Sequence, residues 1–137
     1  MKTLIFLLSV NLALVVTAIP LTHGDSIQAN LEKIIGLAED YVRTLPEDFL
    51  KTLGKDLTHL TETTNKCKEF FCEVEAVLAS LEHHFFGKRG EIVRSLEQYN
   101  KHMNCPNANH SQGNQVELKR LLHDLKGCGQ KINSNKV

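Results

Sequence analysis

Residues 64–86 read TNKCKEFFCEVEAVLASLEHHFF, and this stretch decides the fold. Its apolar residues recur at steps of three and four, which is the spacing of one face of an α-helix. The predicted buried face consists of Cys67, Phe70, Phe71, Val74, Val77, Leu78, Leu81 and Phe85. Gly87 ends the run, as a glycine after a last helical turn commonly does. We therefore predict a long amphipathic helix over about 64–86, the second helix of the chain.

Three further helices are predicted by the same spacing on either side of this stretch. The first covers about 26–44 and is ended by a following proline, the third about 90–103, and the fourth about 114–128. Gly127 and Gly129 are expected to end the fourth helix. The predicted buried stripes are Ile27, Leu31, Ile34, Ala38 and Tyr41; Ile92, Leu96, Tyr99 and Met103; and Leu118, Leu121, Leu122 and Leu125.

The lengths of the connections predict the topology of these helices. Only residues 87–90 join the second helix to the third, so these two are expected to be antiparallel neighbours. The connections over 45–62 and 104–113 are long enough to return along a helix. No alternating run predicts a β-strand. We predict an all-α, short-chain four-helix bundle over 25–132 with up-up-down-down topology and two long crossover loops. The apolar residues of the first crossover, expected to pack on the core, are Phe49, Leu50, Leu53, Leu57 and Leu60.

The N-terminal residues 1–18 are typical of a signal peptide. Lys2 precedes an apolar run that is too short to span a bilayer, and small residues follow it. Cleavage is expected after Ala18, with a second candidate position after Gly24. The protein is therefore predicted to be secreted and not inserted in a membrane. Lys and Arg number 16, as do Asp and Glu, so bulk charge does not favour a nucleic acid as partner.

In an oxidising compartment, four cysteines indicate two disulfides. Within one helix Cys67 and Cys72 are separated by a rise of about 7.5 Å, beyond the usual reach of a disulfide. The predicted topology brings all four cysteines to one end of the bundle. Cys72–Cys105 with Cys67–Cys128 is the preferred pairing, and the exchanged pairing stays open.

Neither catalysis nor a metal site is predicted. The motifs C-x-x-C and H-E-x-x-H do not occur, and His123-Asp124 has no nucleophile at a recognisable spacing, so we expect no enzyme activity and no cofactor. Asn109-His110-Ser111 is a candidate glycosylation sequon. Gly87-Lys88-Arg89 leaves open a peptide-hormone precursor cut at Lys88-Arg89, although a turn between two helices explains the same residues.

Short strings in this chain resemble the interleukin-4/interleukin-13 family. The string over 71–78, FCEVEAVL, followed by His83-His84, resembles the second helix of interleukin-4. Asn104-Cys105-Pro106 resembles the Ser-Cys-Pro of that family after the third helix, and residues 118–125 look like its last helix. The resemblance covers about 62–128. In the family the cysteines that match Cys72 and Cys105 pair with each other.

The resemblance implies a function and a set of receptor-binding residues. It implies a cytokine that bridges an interleukin-4 receptor alpha-like chain and a second chain, either common gamma-like or interleukin-13 receptor alpha-like. Arg94 falls where the family has a receptor-binding arginine, whereas Lys33 stands where the family has a receptor-contacting glutamate. Glu32 and Glu39 are seven residues apart, share one helix face, and are candidates to supply that negative charge. A monomer is expected, and another helical cytokine or growth factor with different receptors is the alternative.

Overall fold

The structure is a computed structural model that describes residues 23–81, 90–105 and 113–134, with side chains from Ile27 onward. Four long helices dominate it: α1 (His23–Thr44), α3 (Thr64–Ala79), α4 (Glu91–Asn100) and α5 (Leu118–Ser134). The shorter elements are α2 (Glu47–Leu50), β1 (Leu53–Lys55), a 3₁₀ turn (Thr58–Leu60) and β2 (Gln115–Glu117). The described chain is therefore mostly helical, with one small sheet.

The four long helices share one core. Helix α1 packs against α4 and α5, and α3 packs against the same two helices. The largest fully buried side chains are Ile34, Leu57, Phe70, Phe71, Leu78, Ile92, Leu96, Tyr99, Leu118, Leu121 and Leu122. They come from all four helices and from the first long connection. Burial of such apolar side chains is the main term that stabilises the fold.

The first long connection packs on this core, as predicted. Leu50, Leu57 and Leu60 are buried, and Phe49 is partly buried. Leu53 is an exception, because its side chain is 54% exposed although it was expected to be covered. It lies in β1, where neighbouring residues point to opposite faces of the strand, and Gly54 takes the buried face.

Two disulfides connect α3 to other parts of the bundle. Cys67 is bonded to Cys128, with their Cα atoms 5.1 Å apart, and Cys72 is bonded to Cys105, with a Cα separation of 5.8 Å. This is the preferred one of the two pairings that the sequence left open. The start of α3 is thereby joined to α5, and the middle of α3 is joined to the segment that follows α4.

The prediction of no β-strand is wrong. Strands β1 and β2 pair antiparallel, with Gly54 opposite Val116. Three-residue strands are too short to show an alternating pattern, and their partners are far apart in sequence, so no local signal marks them. A Cβ on Gly54 would lie 2.8 Å from Cδ1 of Leu121, so the glycine lets the strand approach α5 closely.

The second predicted helix ends earlier than expected. Helix α3 begins at Thr64, where the Thr63 hydroxyl accepts a hydrogen bond from the backbone N–H of Lys66 at 3.1 Å. It ends at Ala79, although the prediction extended it to 86. The Ser80 hydroxyl donates to the carbonyl of Val77 at 2.7 Å, a local hydrogen bond that competes with helix continuation. Residues 82–86 lie outside the described part.

The fourth helix is shifted relative to its prediction over 114–128. Residues 115–117 are extended because they pair with β1, and α5 starts at Leu118, whose N–H donates to the Thr52 carbonyl at 2.7 Å. Gly127 and Gly129 do not end the helix. It continues to Ser134, where the Cys67–Cys128 disulfide and the hydrogen bonds of Lys131 to the carbonyls of Thr61 and Glu62 hold its last turns. Helices α1 and α4 lie within a few residues of their predicted ranges.

Candidate functional site

Arg94 and Lys33, both predicted to bind a receptor, lie on the same face of the molecule. On α4, Ile92, Val93 and Leu96 turn into the core, and this leaves Arg94 exposed. Lys33 is exposed on α1, and both side chains line one surface depression. We call this face, formed by Lys33, Glu91, Arg94, Ser95 and Gln98, the α1/α4 surface.

The depression of the α1/α4 surface has a volume of about 280 Å³. Nζ of Lys33 lies 3.1 Å from Oε1 of Glu91, so an ion pair crosses the seam between the two helices. In the described part of the chain, the Arg94 guanidinium makes no hydrogen bond or ion pair, including with Glu97, the next acid on α4. Among the residues that the structure describes, no acidic side chain therefore pairs with the positive charge of Arg94 on this surface.

Buried contacts beneath this surface fix the positions of its charges. The side-chain amide of Asn30 on α1 donates to the backbone carbonyl of Ser95 on α4 at 3.4 Å. Ser95 is 4% exposed, and Ile34 and Leu96 are fully buried. Such packing holds backbone positions closely, so the charged side chains start from fixed points.

Glu32 and Glu39, the two acidic candidates, are not beside Arg94. Oε2 of Glu39 lies 3.2 Å from Nζ of Lys126 on α5, across the opposite flank of α1. Glu32 accepts a hydrogen bond from Gln28, whose amide also contacts Asn133 on α5. We call this flank, with Gln28, Glu32 and Glu39 of α1 facing α5, the α1/α5 surface. The four predicted residues thus divide between two surfaces, each of which includes one flank of α1.

Tyr41 adds an aromatic group on the α4 side of α1. Its side chain is half-buried, and burial raises its pKa, with a further increase from the charges of Glu91 and Asp40. The neutral phenol is therefore the form present near pH 7. Tyr and Arg are the residue types that most often dominate the energy of protein interfaces.

Two carboxylates between α5 and the first long connection have opposite pKa shifts. Asp124 accepts a hydrogen bond from Nε of Arg120 at 3.2 Å, but its Oδ2 is buried with no partner among the described residues. Burial raises the pKa of Asp124. Asp56 accepts hydrogen bonds from the hydroxyl and N–H of Thr58, and these lower its pKa. Both sets of hydrogen bonds are local, since Asp56 bonds within the first long connection and Asp124 bonds within α5.

A second depression lies beside the 3₁₀ turn and also measures about 280 Å³. Its lining includes the acidic residues Asp56, Glu69 and Glu73 together with Lys55 and His59. Within 23–81, 90–105 and 113–134, no group of three or more His, Cys, Asp or Glu side chains is placed to hold a metal ion.

Sequence reasoning missed Glu91 and Asn100. Glu91 stands three residues before Arg94, which places it on the same helix face, but its pairing with Lys33 depends on how two helices are rotated against each other. Asn100 is 6% exposed and donates to the carbonyl of Phe71 and to Oε1 of Glu75 on α3. Its spacing from Ile92 and Leu96 was the available signal, because steps of four predict the buried stripe.

Several predicted features lie outside the described residues. These are the signal peptide over 1–18, the candidate glycosylation site Asn109, and the Lys88-Arg89 pair. They stay predictions.

Comparisons with known proteins give no relative for this chain. No protein-family model matches it, and neither does any curated protein or solved structure. In the part of the chain that the structure describes, no helix combines the length and the apolar character that crossing a membrane requires.

Proposed function

We propose that this protein is a secreted helical cytokine of the interleukin-4/interleukin-13 type, which acts by bridging two type I cytokine receptors. The observation that carries the proposal is the division of charges on α1. One flank pairs with α4 through Lys33 and Glu91, and the other pairs with α5 through Glu39 and Lys126. A single helix therefore contributes to two separate surfaces, which is what a ligand for two receptor chains requires.

Contacts between helix ends support an up-up-down-down topology. Gln28 near the start of α1 contacts Asn133 near the end of α5. Lys33 pairs with Glu91 while Asn30 bonds to the later residue Ser95, as expected when α1 and α4 run in opposite directions. One disulfide joins Cys67, near the start of α3, to the second half of α5, and the other joins Cys72, near the middle of α3, to the segment after α4. Each of these contacts fits a bundle in which α1 and α3 point one way and α4 and α5 the other.

The α1/α4 surface is the proposed binding site for an interleukin-4 receptor alpha-like chain. Arg94 carries an exposed charge on a rigid helix and can bind a receptor carboxylate through two parallel hydrogen bonds. A few such anchors usually supply most of the binding free energy of an interface. Gln98 lines the same depression as Arg94 and can extend the contact, and Tyr41, on the same side of α1, lies within the electrostatic influence of Glu91.

The α1/α5 surface is the proposed site for the second chain, common gamma-like or interleukin-13 receptor alpha-like. Glu32 and Glu39 are exposed there, and Lys126 is partly exposed beside Glu39. This mixture of charges fits a polar interface. Binding of the second chain there would depend on the first receptor, which holds the ligand at the membrane and raises its effective concentration.

The mechanism requires no chemistry by the ligand. The binding free energy holds two receptors together long enough for their associated kinases to act, which would start type 2 immune signalling. Two disulfides fit an extracellular protein, as secretion after cleavage of residues 1–18 requires. We include a monomeric state and glycosylation at Asn109 in the same proposal.

The test is binding to the interleukin-4 receptor alpha-like ectodomain of the same species. We expect Arg94→Glu to weaken binding by about 2 kcal/mol or more, because it places like charges at the anchor. Lys68→Glu is the matched control, since Lys68 is exposed on α3, away from both proposed surfaces. Circular dichroism should show equal helicity for all three proteins. Absence of wild-type binding would contradict the family assignment.

A further inference from the structure

The ion pair between Lys33 and Glu91 gives the α1/α4 surface an ordered pattern of charge. Nζ of Lys33 forms an ion pair with Oε1 of Glu91 at 3.1 Å. Arg94, by contrast, has no ion-pair partner in the described part of the chain. Glu91 and Arg94 are three residues apart on α4, a spacing that puts their Cβ atoms about 5–6 Å apart on one face. Among the described residues, a partner thus meets a pair of opposite, solvent-accessible charges and, beside it, the Arg94 guanidinium with no acidic partner.

The pair does little for the stability of the bundle. The side chains of Lys33 and Glu91 are 50% and 49% exposed, and ion pairs this accessible to water contribute little to folding. The seam beneath it is already closed by fully buried Ile34 and Leu96. The position of the pair, at the rim of the depression that holds Arg94, suits a role in recognition.

We propose that the Lys33–Glu91 pair is the specificity element of the α1/α4 surface, and that it selects a partner with a carboxylate opposite Arg94 and a cation or neutral donor opposite Glu91. The inference rests on the proposed function and deepens it. A partner that placed a second carboxylate opposite Glu91 would meet a fixed negative charge, and one that placed a cation opposite Arg94 would meet a fixed positive charge. Charge patterns of this kind generally affect the choice of partner and the association rate more strongly than they affect the affinity.

The test exchanges the two charges within the pair. The double variant Lys33→Glu with Glu91→Lys keeps an ion pair across the seam but reverses its order along the surface. The matched control exchanges another exposed pair, with Glu62→Lys and Lys66→Glu, whose charged atoms are also 3.1 Å apart. Binding to the alpha-like ectodomain is measured for wild type, both exchanges and Arg94→Glu, with association rates at low and high salt.

The expected result is a loss of at least about tenfold in affinity for the Lys33/Glu91 exchange, with most of it in a salt-dependent association rate. The control exchange should stay within about twofold, and both exchanges should keep the helicity of the wild type. The Lys33/Glu91 exchange should lower the melting temperature slightly, because it replaces an acidic residue in the first turn of α4 with lysine. Equal or tighter binding by the Lys33/Glu91 exchange overturns the inference but leaves the proposed function standing if Arg94→Glu still loses binding. Absence of wild-type binding overturns both.

Discussion

At the scale of single residues, Asp124 on α5 and Asp56 in the first long connection contribute to stability with opposite dependence on pH. Asp124 is buried with an unpartnered oxygen within the described chain, and burial raises its pKa. Its contribution to stability is present below its ordinary pKa of 3.8 and is lost as the pH rises through its raised folded value. Asp56 has a lowered pKa, so its contribution is present above 3.8 and is lost as the pH falls through its folded value.

Asp124→Asn and Asp56→Asn should therefore show opposite pH trends. Between about pH 3 and pH 7, the free energy of unfolding of Asp124→Asn should rise relative to wild type. That of Asp56→Asn should fall over the same range, because the neutral amide loses the favourable interaction of the ionised carboxylate with Thr58. Urea unfolding at several pH values followed by circular dichroism measures both. Parallel trends for the two variants would contradict the described environments.

Asn100 is the buried polar residue that joins α4 to α3. Asn100→Asp would set a carboxylate against the Phe71 carbonyl and near Glu75, both of which now accept hydrogen bonds from its amide. We expect a loss of about 3 kcal/mol in the free energy of unfolding. Asn104→Asp, at an exposed position after the same helix, is the control and should change stability by less than about 0.5 kcal/mol. Equal effects would show that Asn100 is not buried.

At the scale of elements, the helices were predictable and their ends were less so. Apolar residues at steps of three and four predicted α1, α3, α4 and α5, because a helix in a bundle buries one face. The end of α3 and the start of α5 depend on Ser80 and on pairing with a strand far away in sequence. Gly129 was expected to end a helix, but it lies where α5 approaches α1. No local pattern shows such contacts.

Three glycines test the approach of α1 to α5. A Cβ on Gly129 would lie 2.5 Å from Cγ1 of Ile35, whereas one on Gly127 or Gly36 would meet nothing within 4 Å. Gly129→Ala should destabilise the fold by about 1–3 kcal/mol through overpacking. Gly127→Ala and Gly36→Ala should each stabilise it by about 0.5–1 kcal/mol, because alanine loses less entropy in a helix. Thermal unfolding of the three variants measures these changes in stability. A stabilising effect of Gly129→Ala would contradict the close approach of α1 to α5.

At the scale of the whole molecule, the two disulfides differ in their exposure to solvent. Cys67 and Cys128 are 0% and 1% exposed, whereas Cys105 is exposed and Cys72 is partly buried. A reductant must reach a sulfur atom to react with it, so access determines the order of reduction.

Mild reduction should therefore open Cys72–Cys105 first. At reductant concentrations that leave the helicity intact, alkylation followed by mass spectrometry should label Cys72 and Cys105 well before Cys67 and Cys128. Unfolding in denaturant should remove the difference, which serves as the control. Simultaneous labelling of all four cysteines under native conditions would contradict the described burial.

The candidate site was only partly predictable from sequence. The exposure of Arg94 could be predicted because this residue lies off the apolar stripe of its helix. The separation of Lys33 from Glu39 could not be foreseen, because it depends on which helices flank α1. The partner of Lys33, Glu91, lies on another helix and has no signal in the local sequence. Charges that meet across a seam become visible only when the packing is known.

The central claim, that this protein bridges two receptor chains, is tested most directly by sequential binding. The alpha-like ectodomain is immobilised, the protein is bound to it, and the common gamma-like or interleukin-13 receptor alpha-like ectodomain is then added. The account predicts that one of the two second chains binds only when the wild-type protein is present, and that Arg94→Glu prevents both steps. Failure of the wild-type protein to bind the first ectodomain, or assembly unaffected by Arg94→Glu, would contradict it.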